Sequence, residues 1–239
     1  MQNIWMICAY LLGSINSAII VSKLFAKKDI RDFGSGNAGL TNVLRTFGKG
    51  PAAIVLIGDF MKGVLSVVIG NLLFRYVGGV EGFMLGGYIA AIFAVLGHVF
   101  PLFYGFKGGK GILVTAGVMV VLDPLVLCVI LGTFIIVVLI SKIVSLGSVA
   151  AAIVYPFATL GIGLLMKRNT PFIDAVLALL ISILVIYMHQ AVTDSYRAEI
   201  GTEKRKLIPS RRTKGCVCFG KYIYSRIGRI WNSVGCYGA

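Results

Sequence analysis

The stretch that decides the fold is ILVTAGVMVVLDPLVLCVILGTFIIVVLI, residues 112–140. It is almost wholly apolar, and its one charged residue, Asp123, is followed by Pro124. A transmembrane helix needs about 20 apolar residues to cross the roughly 30 Å hydrocarbon core of a bilayer. This stretch is too long for one crossing, and proline disfavours helical backbone at the residue before it. The pattern predicts a hairpin of two short or tilted membrane helices that turns at Asp123-Pro124.

Other apolar runs of sufficient length for membrane helices lie on both sides of this stretch. They cover Ile4–Val21, Pro51–Phe74, Gly82–Phe100, Ser148–Met166 and Phe172–Met188. Together with the hairpin, these runs predict an all-α polytopic membrane protein with about seven transmembrane helices.

The composition of the 239-residue chain agrees with this prediction. Hydrophobic residues make up 58% of the chain and charged residues 13%, whereas soluble domains carry roughly 25% charged residues. These values exclude an ordinary soluble enzyme, a disordered chain and a small disulfide-rich secreted protein. No charged segment precedes the first apolar run and no convincing cleavage site follows it, so we interpret this run as a retained span.

The positions of the basic residues predict the orientation of the chain. The formal net charge is +14, from 23 Lys and Arg against 9 Asp and Glu. With seven crossings, 19 of these 23 basic residues fall on one side of the membrane, Arg75, Lys167 and Arg168 fall on the other, and Lys62 lies within a span. The positive-inside rule assigns the basic side to the cytoplasm. The N-terminus is then outside, the C-terminus is cytoplasmic, and the charge requires no nucleic-acid partner.

We divide the chain into a transmembrane domain, residues 1–206, and a basic tail, residues 207–239. The tail combines basic residues with Tyr222, Tyr224 and Trp231. Such a segment can lie on anionic lipid as an interfacial element. The alternative is a solvated, disordered extension.

The loop after the first span, residues 27–45, has the sequence KKDIRDFGSGNAGLTNVLR. Its closely spaced glycines free the backbone to fold tightly and to present a nest of N–H groups to an anion. Arg31 and Arg45 add positive charge, and Arg45 can bind a phosphate through two N–H groups. We interpret this first loop as a phosphate site, with a plain polar loop as the alternative. The predicted ligands are Ser35, Gly36, Asn37, Gly39, Thr41, Asn42 and Arg45.

A second glycine-rich loop, residues 98–111, has the sequence HVFPLFYGFKGGKG. Lysines flank a glycine pair, which suits a second phosphate cradle made of backbone amides and ammonium groups. It is not a Walker A loop, because Gly111 stands where a Ser or Thr would hold magnesium. The aromatic residues place it at the membrane interface, where a simple turn is the alternative. The predicted ligands are Lys107, Gly108, Gly109, Lys110 and Gly111.

Several polar residues also lie in or beside the apolar runs. Asp59 and Lys62 are three positions apart on one helix face and can pair. Charges inside a membrane are costly and are typical of functional sites, although a structural ion pair has the same pattern. His98 and His189 each end a span, and Ser145 begins the stretch Ser145-Leu146-Gly147-Ser148 at a predicted cytoplasmic entry.

Together these stretches resemble one family, the acyl-phosphate:glycerol-3-phosphate acyltransferases of bacterial membranes, known as PlsY. The resemblance runs from about Tyr10 to Lys206 and rests chiefly on the two glycine-rich loops. The remaining matches are Gly13-Ser14-Ile15, Asp59 with Lys62-Gly63, Ser145-Leu146-Gly147-Ser148 and Gly201-Thr202-Glu203. The chain departs from the family pattern at Leu40, Val114, Val192 and Ser195.

The resemblance implies an enzyme of the bacterial plasma membrane that needs no cofactor and no metal. The expected reaction moves a fatty acyl group from acyl phosphate to the 1-hydroxyl of glycerol 3-phosphate, which gives lysophosphatidic acid and phosphate. The transfer would be direct, and membrane lipid is the remaining partner. Lys110, Arg45 and His189 are the expected catalytic residues. His98, Ser145 and Glu203 are expected to bind substrate together with the two loops.

Two other classes stay open at this stage. A transporter of a phosphorylated small molecule would also combine polar residues in spans with anion-binding loops, although no internal repeat is visible. A phospholipid-head-group transferase would need clustered aspartates for a divalent metal, and the aspartates of this chain are scattered. The oligomeric state does not follow from the sequence.

Overall fold

The computed structural model describes residues 4–78 and 83–207, and within these ranges every regular element is helical. The all-α prediction is therefore confirmed for the described part of the chain. Two short 3-10 turns, Ile30–Asp32 and Leu102–Tyr104, lie in the two glycine-rich loops. The α-helices are α1 (Ile4–Ser14), α2 (Ser17–Ala26), α3 (Leu40–Phe47), α4 (Lys49–Gly78), α5 (Phe83–Val99), α6 (Ile112–Leu122), α7 (Pro124–Ser141), α8 (Val144–Leu165) and α9 (Pro171–Leu207).

Six segments of the described residues are long and apolar enough to cross a membrane. They agree with the apolar runs of the sequence, except that residues 112–140 supply only one of them. That one is α7, because α6 has 11 residues and is about 16 Å long, roughly half the hydrocarbon thickness. The six segments are Met6–Ala26, Lys49–Phe74, Gly86–Tyr104, Pro124–Ser141, Val144–Leu165 and Pro171–Gln190.

The predicted break in residues 112–140 is present. α6 ends at Leu122 and α7 begins at Pro124, with Asp123 as the N-cap of α7. The Asp123 carboxylate accepts a hydrogen bond from the backbone N–H of Val126 at 3.2 Å, and proline suits the first position of a helix because its missing N–H is not needed there. Asp123 also pairs with Arg168 at 2.6 Å, which holds the α6–α7 turn against the α8–α9 loop.

The first apolar run contains a second break, which the sequence analysis did not predict. α1 ends at Ser14 and α2 begins at Ser17, with Asn16 as its N-cap. The Asn16 side chain accepts a hydrogen bond from Ile19 N at 3.1 Å and donates one to Ala38 O, in the first loop, at 3.4 Å. The break thus places the polar residue Asn16 in contact with the first loop.

Small residues let the helices approach closely, as is common in membrane proteins. A Cβ added at Gly63 of α4 would overlap the backbone of Val114 in α6, and one at Gly117 of α6 would overlap the backbone of Phe60 in α4. α7 lies at the periphery, because most of its large apolar side chains are exposed, as expected for a lipid-facing helix. Close contact of α4 with α6 positions the start of α6 beside the second loop.

Residues up to Ala198 form one compact unit, and the chain beyond it forms another. The structure describes only residues 199–207 of the second unit, as the end of α9. The predicted boundary at residues 206 and 207 stays a prediction, and residues 208–239 of the predicted tail lie outside the described residues.

Candidate active site

Arg31 joins the two glycine-rich loops. Its guanidinium pairs with Asp29 at 2.8 Å, and its Nη1 donates hydrogen bonds to the carbonyl oxygens of Tyr104 at 2.7 Å and Lys107 at 3.3 Å. The hydrogen bond from Arg31 lowers the pKa of the Asp29 carboxyl, and the same bond raises the pKa of Arg31. In the sequence, Arg31 only adds positive charge to the first loop, whereas here its N–H groups contact protein oxygens and hold the two loops together.

The Asn42 side chain holds the first loop together through hydrogen bonds. It is 2% exposed, and its amide nitrogen donates to the carbonyl oxygens of Ile30, Phe33 and Asn37 at 2.8–3.2 Å. Its amide oxygen accepts from the backbone N–H of Ser35 at 3.3 Å. The side chain predicted to be a phosphate ligand is therefore already used by the loop itself, and its role is to shape the site.

We expect Asn42→Ala to destabilise the protein, because one buried carbonyl oxygen, of Ile30, and two partly buried ones, of Phe33 and Asn37, lose a donor. Leaving such a group unsatisfied costs about 1–3 kcal/mol. The melting temperature in detergent should fall, and the KM for substrate should rise because the loop loses its shape. Leu44→Ala, at an exposed position of the same helix, is the control and should leave both values close to wild type. A melting temperature of Asn42→Ala equal to that of Leu44→Ala would contradict this role.

The second loop folds back onto the end of α5. The N–H groups of Gly108 and Gly109 donate to the carbonyl oxygens of Val99 and His98, each at 3.1 Å. The predicted cradle of free Gly108 and Gly109 amides is thus not formed here, because both amides have backbone partners. The glycines serve close packing instead. A Cβ at Gly109 would overlap the imidazole of His98, and one at Gly108 would overlap the His98 carbonyl oxygen.

A buried polar cluster lies directly below the loops. The predicted pairing of Asp59 with Lys62 is confirmed at 2.8 Å, and both side chains are at most 5% exposed. The ammonium of Lys62 also lies 2.8 Å from Nδ1 of His98 and donates to the carbonyl oxygen of Ile15 at 2.7 Å. The cluster thus joins the α1–α2 break, α4 and α5 at one point.

The loops open into a cavity of about 390 Å³ between the helices. Its loop end is polar and is formed by Asn37, Thr41 and Lys110, with His98 and Asp59 beneath. The rest is an apolar groove that runs between α6, α7, α8 and α9. The residues of this groove include Leu113, Leu127, Ile130, Leu131, Phe134, Ala151, Ala152, Tyr155, Ile181 and Val185.

Lys110 is the cation at the polar end of the cavity. Burial and, to a smaller extent, the positive charge of Arg45 lower the pKa of its ammonium group. His189 also lies within electrostatic range of Lys110, and its side chain is buried at 6% exposure. Arg45 and His189 therefore each lie within electrostatic range of Lys110, and of these three predicted catalytic residues Lys110 is the one that lines the cavity.

The structure separates the predicted site residues into two groups. Six of them line the cavity: Asn37, Gly39, Thr41, His98, Lys110 and Gly111. The following residues lie outside that lining: Ser35, Gly36, Asn42, Arg45, Lys107, Gly108, Gly109, Ser145 and His189. Glu203 belongs to α9, and its side chain lies outside the described residues.

Sequence reasoning missed several polar residues of the cavity. Ser148 lines it in place of the predicted Ser145, which is exposed, and Thr115, Tyr155 and Ser182 line it further along the groove. Ser148 lies in the same Ser-x-x-Ser stretch. Knowing that the helix begins at Val144 would have placed Ser148 on its buried face. The others carry no signal in the sequence, because single polar residues in apolar helices are common.

Comparisons with known proteins agree with this geometry. A family model described as glycerol-3-phosphate acyltransferase matches residues 3–198. A glycerol-3-phosphate acyltransferase of Clostridioides difficile is 42% identical over 199 residues, covering 83% of this chain and 92% of the relative. One of Nitrosomonas eutropha is 43% identical over 186 residues, covering 77% and 87%.

Crystal structures of PlsY (YgiH), an integral membrane glycerol 3-phosphate acyltransferase, have the same fold. The glycerol 3-phosphate form matches with a TM-score of 0.68 and 31% identity, and the lysophosphatidic acid form with a TM-score of 0.65 and 30% identity. Each match covers 83% of this chain and 92% of the solved chain. The chain therefore belongs to the glycerol-3-phosphate acyltransferase family and is a multi-pass integral membrane acyltransferase.

Proposed function

We propose that the cavity holds an acyl phosphate, with its phosphate at the Lys110 end and its acyl chain in the apolar groove, while glycerol 3-phosphate binds beside it at the loops. The observation that carries this proposal is the continuity of the cavity from the partly buried cation Lys110 to the groove between α6 and α9. A substrate with an anionic head and a long apolar chain matches that division. Free phosphates or sugars would leave the groove empty.

The products are lysophosphatidic acid and inorganic phosphate. The 1-hydroxyl oxygen of glycerol 3-phosphate forms a bond to the acyl carbonyl carbon, and the bond between that carbon and the phosphate oxygen breaks. The hydroxyl proton leaves with the released phosphate, so no acyl-enzyme intermediate is needed. The mixed anhydride already carries a good leaving group, so positioning of the substrates and stabilisation of charge supply the catalysis.

We assign roles to side chains at the polar end of the cavity and to two side chains near Lys110. Lys110 stabilises the negative charge on the departing phosphate. Asn37 and Thr41 line the same end, and Asn37 Oδ1 is buried with no hydrogen-bond partner among the described residues, so it can accept from a glycerol hydroxyl. Arg45 supplies a bidentate contact to the second phosphate. His189, near Lys110, orients glycerol 3-phosphate.

We further propose seven membrane crossings, with the N-terminus outside and the C-terminus in the cytoplasm. The ion pair of Asp123 with Arg168 supports this arrangement, because it puts the α6–α7 turn at the level of the α8–α9 loop. A Cβ added at Gly87, near the start of α5, would overlap the Leu122 side chain at the end of α6. α6 is then a short crossing that leads from the second loop toward the outer face.

The number of crossings is open to cysteine labelling. Lys107→Cys and Lys142→Cys, each in a chain without its native cysteines, lie on either side of residues 112–140. With two crossings between them, both should react with an impermeant maleimide only after the cells are permeabilised, and Lys167→Cys should react in intact cells. If a single helix crossed there, Lys107→Cys and Lys142→Cys would label from opposite sides.

We expect Ala152→Phe to shift the enzyme toward shorter acyl chains. Ala152 is 9% exposed and lines the groove, so a phenyl ring there fills space that a long chain would use. The ratio of kcat/KM for palmitoyl over octanoyl phosphate should fall at least about tenfold. Ile153→Phe, on the exposed face of the same helix, should keep the wild-type ratio. An unchanged ratio in Ala152→Phe would place the acyl chain elsewhere.

The experiment that tests the proposed function measures phosphate release by the detergent-purified protein with palmitoyl phosphate and glycerol 3-phosphate, in the presence of EDTA. We expect release that requires both substrates, together with formation of lysophosphatidic acid. Palmitoyl coenzyme A in place of palmitoyl phosphate is the control and should give no product. Product formation from the thioester but not from the phosphate would overturn the choice of acyl donor.

A further inference from the structure

The ammonium group of Lys62 hydrogen-bonds to Ile15 O and to His98 Nδ1 and forms an ion pair with the Asp59 carboxylate. Its nitrogen lies 2.7 Å from Ile15 O, 2.8 Å from Asp59 Oδ1 and 2.8 Å from His98 Nδ1. An ammonium donates three hydrogen bonds and accepts none. His98 Nδ1 must therefore be the acceptor, which leaves the proton of the neutral imidazole on Nε2.

Nε2 of His98 lies where the two glycine-rich loops meet. A Cβ added at Gly109 would overlap Nε2 and would lie 2.7 Å from the carbonyl oxygen of Ala38 in the first loop. His98 also lines the polar end of the cavity, together with Lys110. The Nε2–H group is thus a donor at the phosphate end of the cavity, and Lys62 holds the opposite ring nitrogen, Nδ1.

We propose that Lys62, anchored by Asp59, is a positioning residue that fixes His98 as the Nε2–H tautomer, so that His98 donates a hydrogen bond to a substrate phosphoryl oxygen at the loop end of the cavity. This inference rests on the proposed function, which puts a phosphate there. Lys62 also holds the α1–α2 break through Ile15 O, next to Asn16, whose side chain contacts the first loop. Lys62 itself lies outside the cavity lining, so its effect on substrate passes through His98.

A purely structural ion pair makes a different prediction. Replacing both members of a buried pair by neutral residues of similar shape is often harmless, whereas removing one member leaves an unpaired buried charge. The double variant Asp59→Asn/Lys62→Met therefore separates the two roles. A structural pair would tolerate the change with full activity, whereas a positioning pair would lose activity in a folded protein.

The test compares this double variant with wild type in turnover of palmitoyl phosphate and in thermal melting. We expect a melting temperature near that of wild type and a kcat/KM that is lower by about 10- to 100-fold, the range for a lost hydrogen bond to a charged group. Asp123→Asn/Arg168→Met removes the partly buried pair at the α6–α7 turn and is the matched control, with kcat/KM expected to be unchanged. Wild-type kcat/KM in Asp59→Asn/Lys62→Met would overturn the proposal.

A mutant cycle tests whether Lys62 acts through His98. In a His98→Ala background, the change Asp59→Asn/Lys62→Met should cost no further activity. His98→Gln should retain part of the activity that His98→Ala loses, because glutamine supplies a side-chain N–H. Additive losses would overturn the proposal. Nitrogen NMR of the wild-type imidazole gives a separate check, with a protonated Nε2 expected and a protonated Nδ1 contradicting it. Inactive wild-type protein would instead refute the proposed function.

Discussion

Lys110→Met is expected to lower kcat/KM by about 100- to 1000-fold, the usual effect of removing one group that stabilises developing negative charge. Lys110 is the lysine that lines the cavity, at the point where its polar end meets the groove. Methionine keeps the length and the apolar part of the side chain, so the loss reports the charge. The melting temperature should change little, because no partner of opposite charge is left unpaired at this position among the described residues.

Lys107→Met is the matched control for this effect. Lys107 lies three residues earlier in the same loop, but its side chain is exposed and lies outside the cavity lining. Its replacement should reduce kcat/KM only a few-fold, through the weaker and screened attraction of an exposed charge for anionic substrates. Equal losses in Lys107→Met and Lys110→Met would refute a special role for Lys110.

The pH dependence gives a second signature of Lys110. Burial and the charge of Arg45 lower the pKa of its ammonium group, so it loses its proton at a lower pH than a free lysine does. An activity that needs the ammonium should therefore fall as pH rises through this lowered pKa. Lys110→Arg should retain part of the activity and lose this alkaline decline, because a guanidinium stays charged. A decline that persists in Lys110→Arg would assign it to another group.

The sequence predicts the membrane helices well where a strong local signal exists. The Asp123-Pro124 break and the Asp59–Lys62 pair are both present. Proline disfavours helical backbone at the aspartate before it, and two charges three positions apart lie on the same face of a helix. The break at Asn16 was not predicted. Its only local signal is a small polar residue, and the contact that makes the break useful is with Ala38, more than 20 residues away.

The candidate site shows the same division between local and long-range information. The residue types of both loops predicted phosphate chemistry, and the assignment of Asn42 and of the Gly108 and Gly109 amides as ligands stays a prediction. Each of these groups binds a backbone oxygen of the loops or of α5. A sequence shows which groups can donate hydrogen bonds, whereas the fold decides which donors remain free for a ligand.

Gly109→Ala is expected to lower kcat/KM about 100-fold or more, as a displacement of about 1 Å at catalytic groups can do. The added methyl group would overlap His98 Nε2 and lie 2.7 Å from Ala38 O, so it has to push the two loops apart. This separates Lys110, the next residue, from the first loop. The backbone of Gly109 has no positive φ, so the effect comes from contact and not from strain.

Gly50→Ala is the matched control, since nothing lies within 4 Å of a Cβ at that position in the first turn of α4. It should be neutral or slightly stabilising, because alanine favours a helix more than glycine does. If the loops separate in Gly109→Ala, the KM for glycerol 3-phosphate should rise together with the fall in kcat. Wild-type kinetics in Gly109→Ala would show that the loops can shift without loss of catalysis, and would remove the contact between His98 and Gly109 from the account of the site.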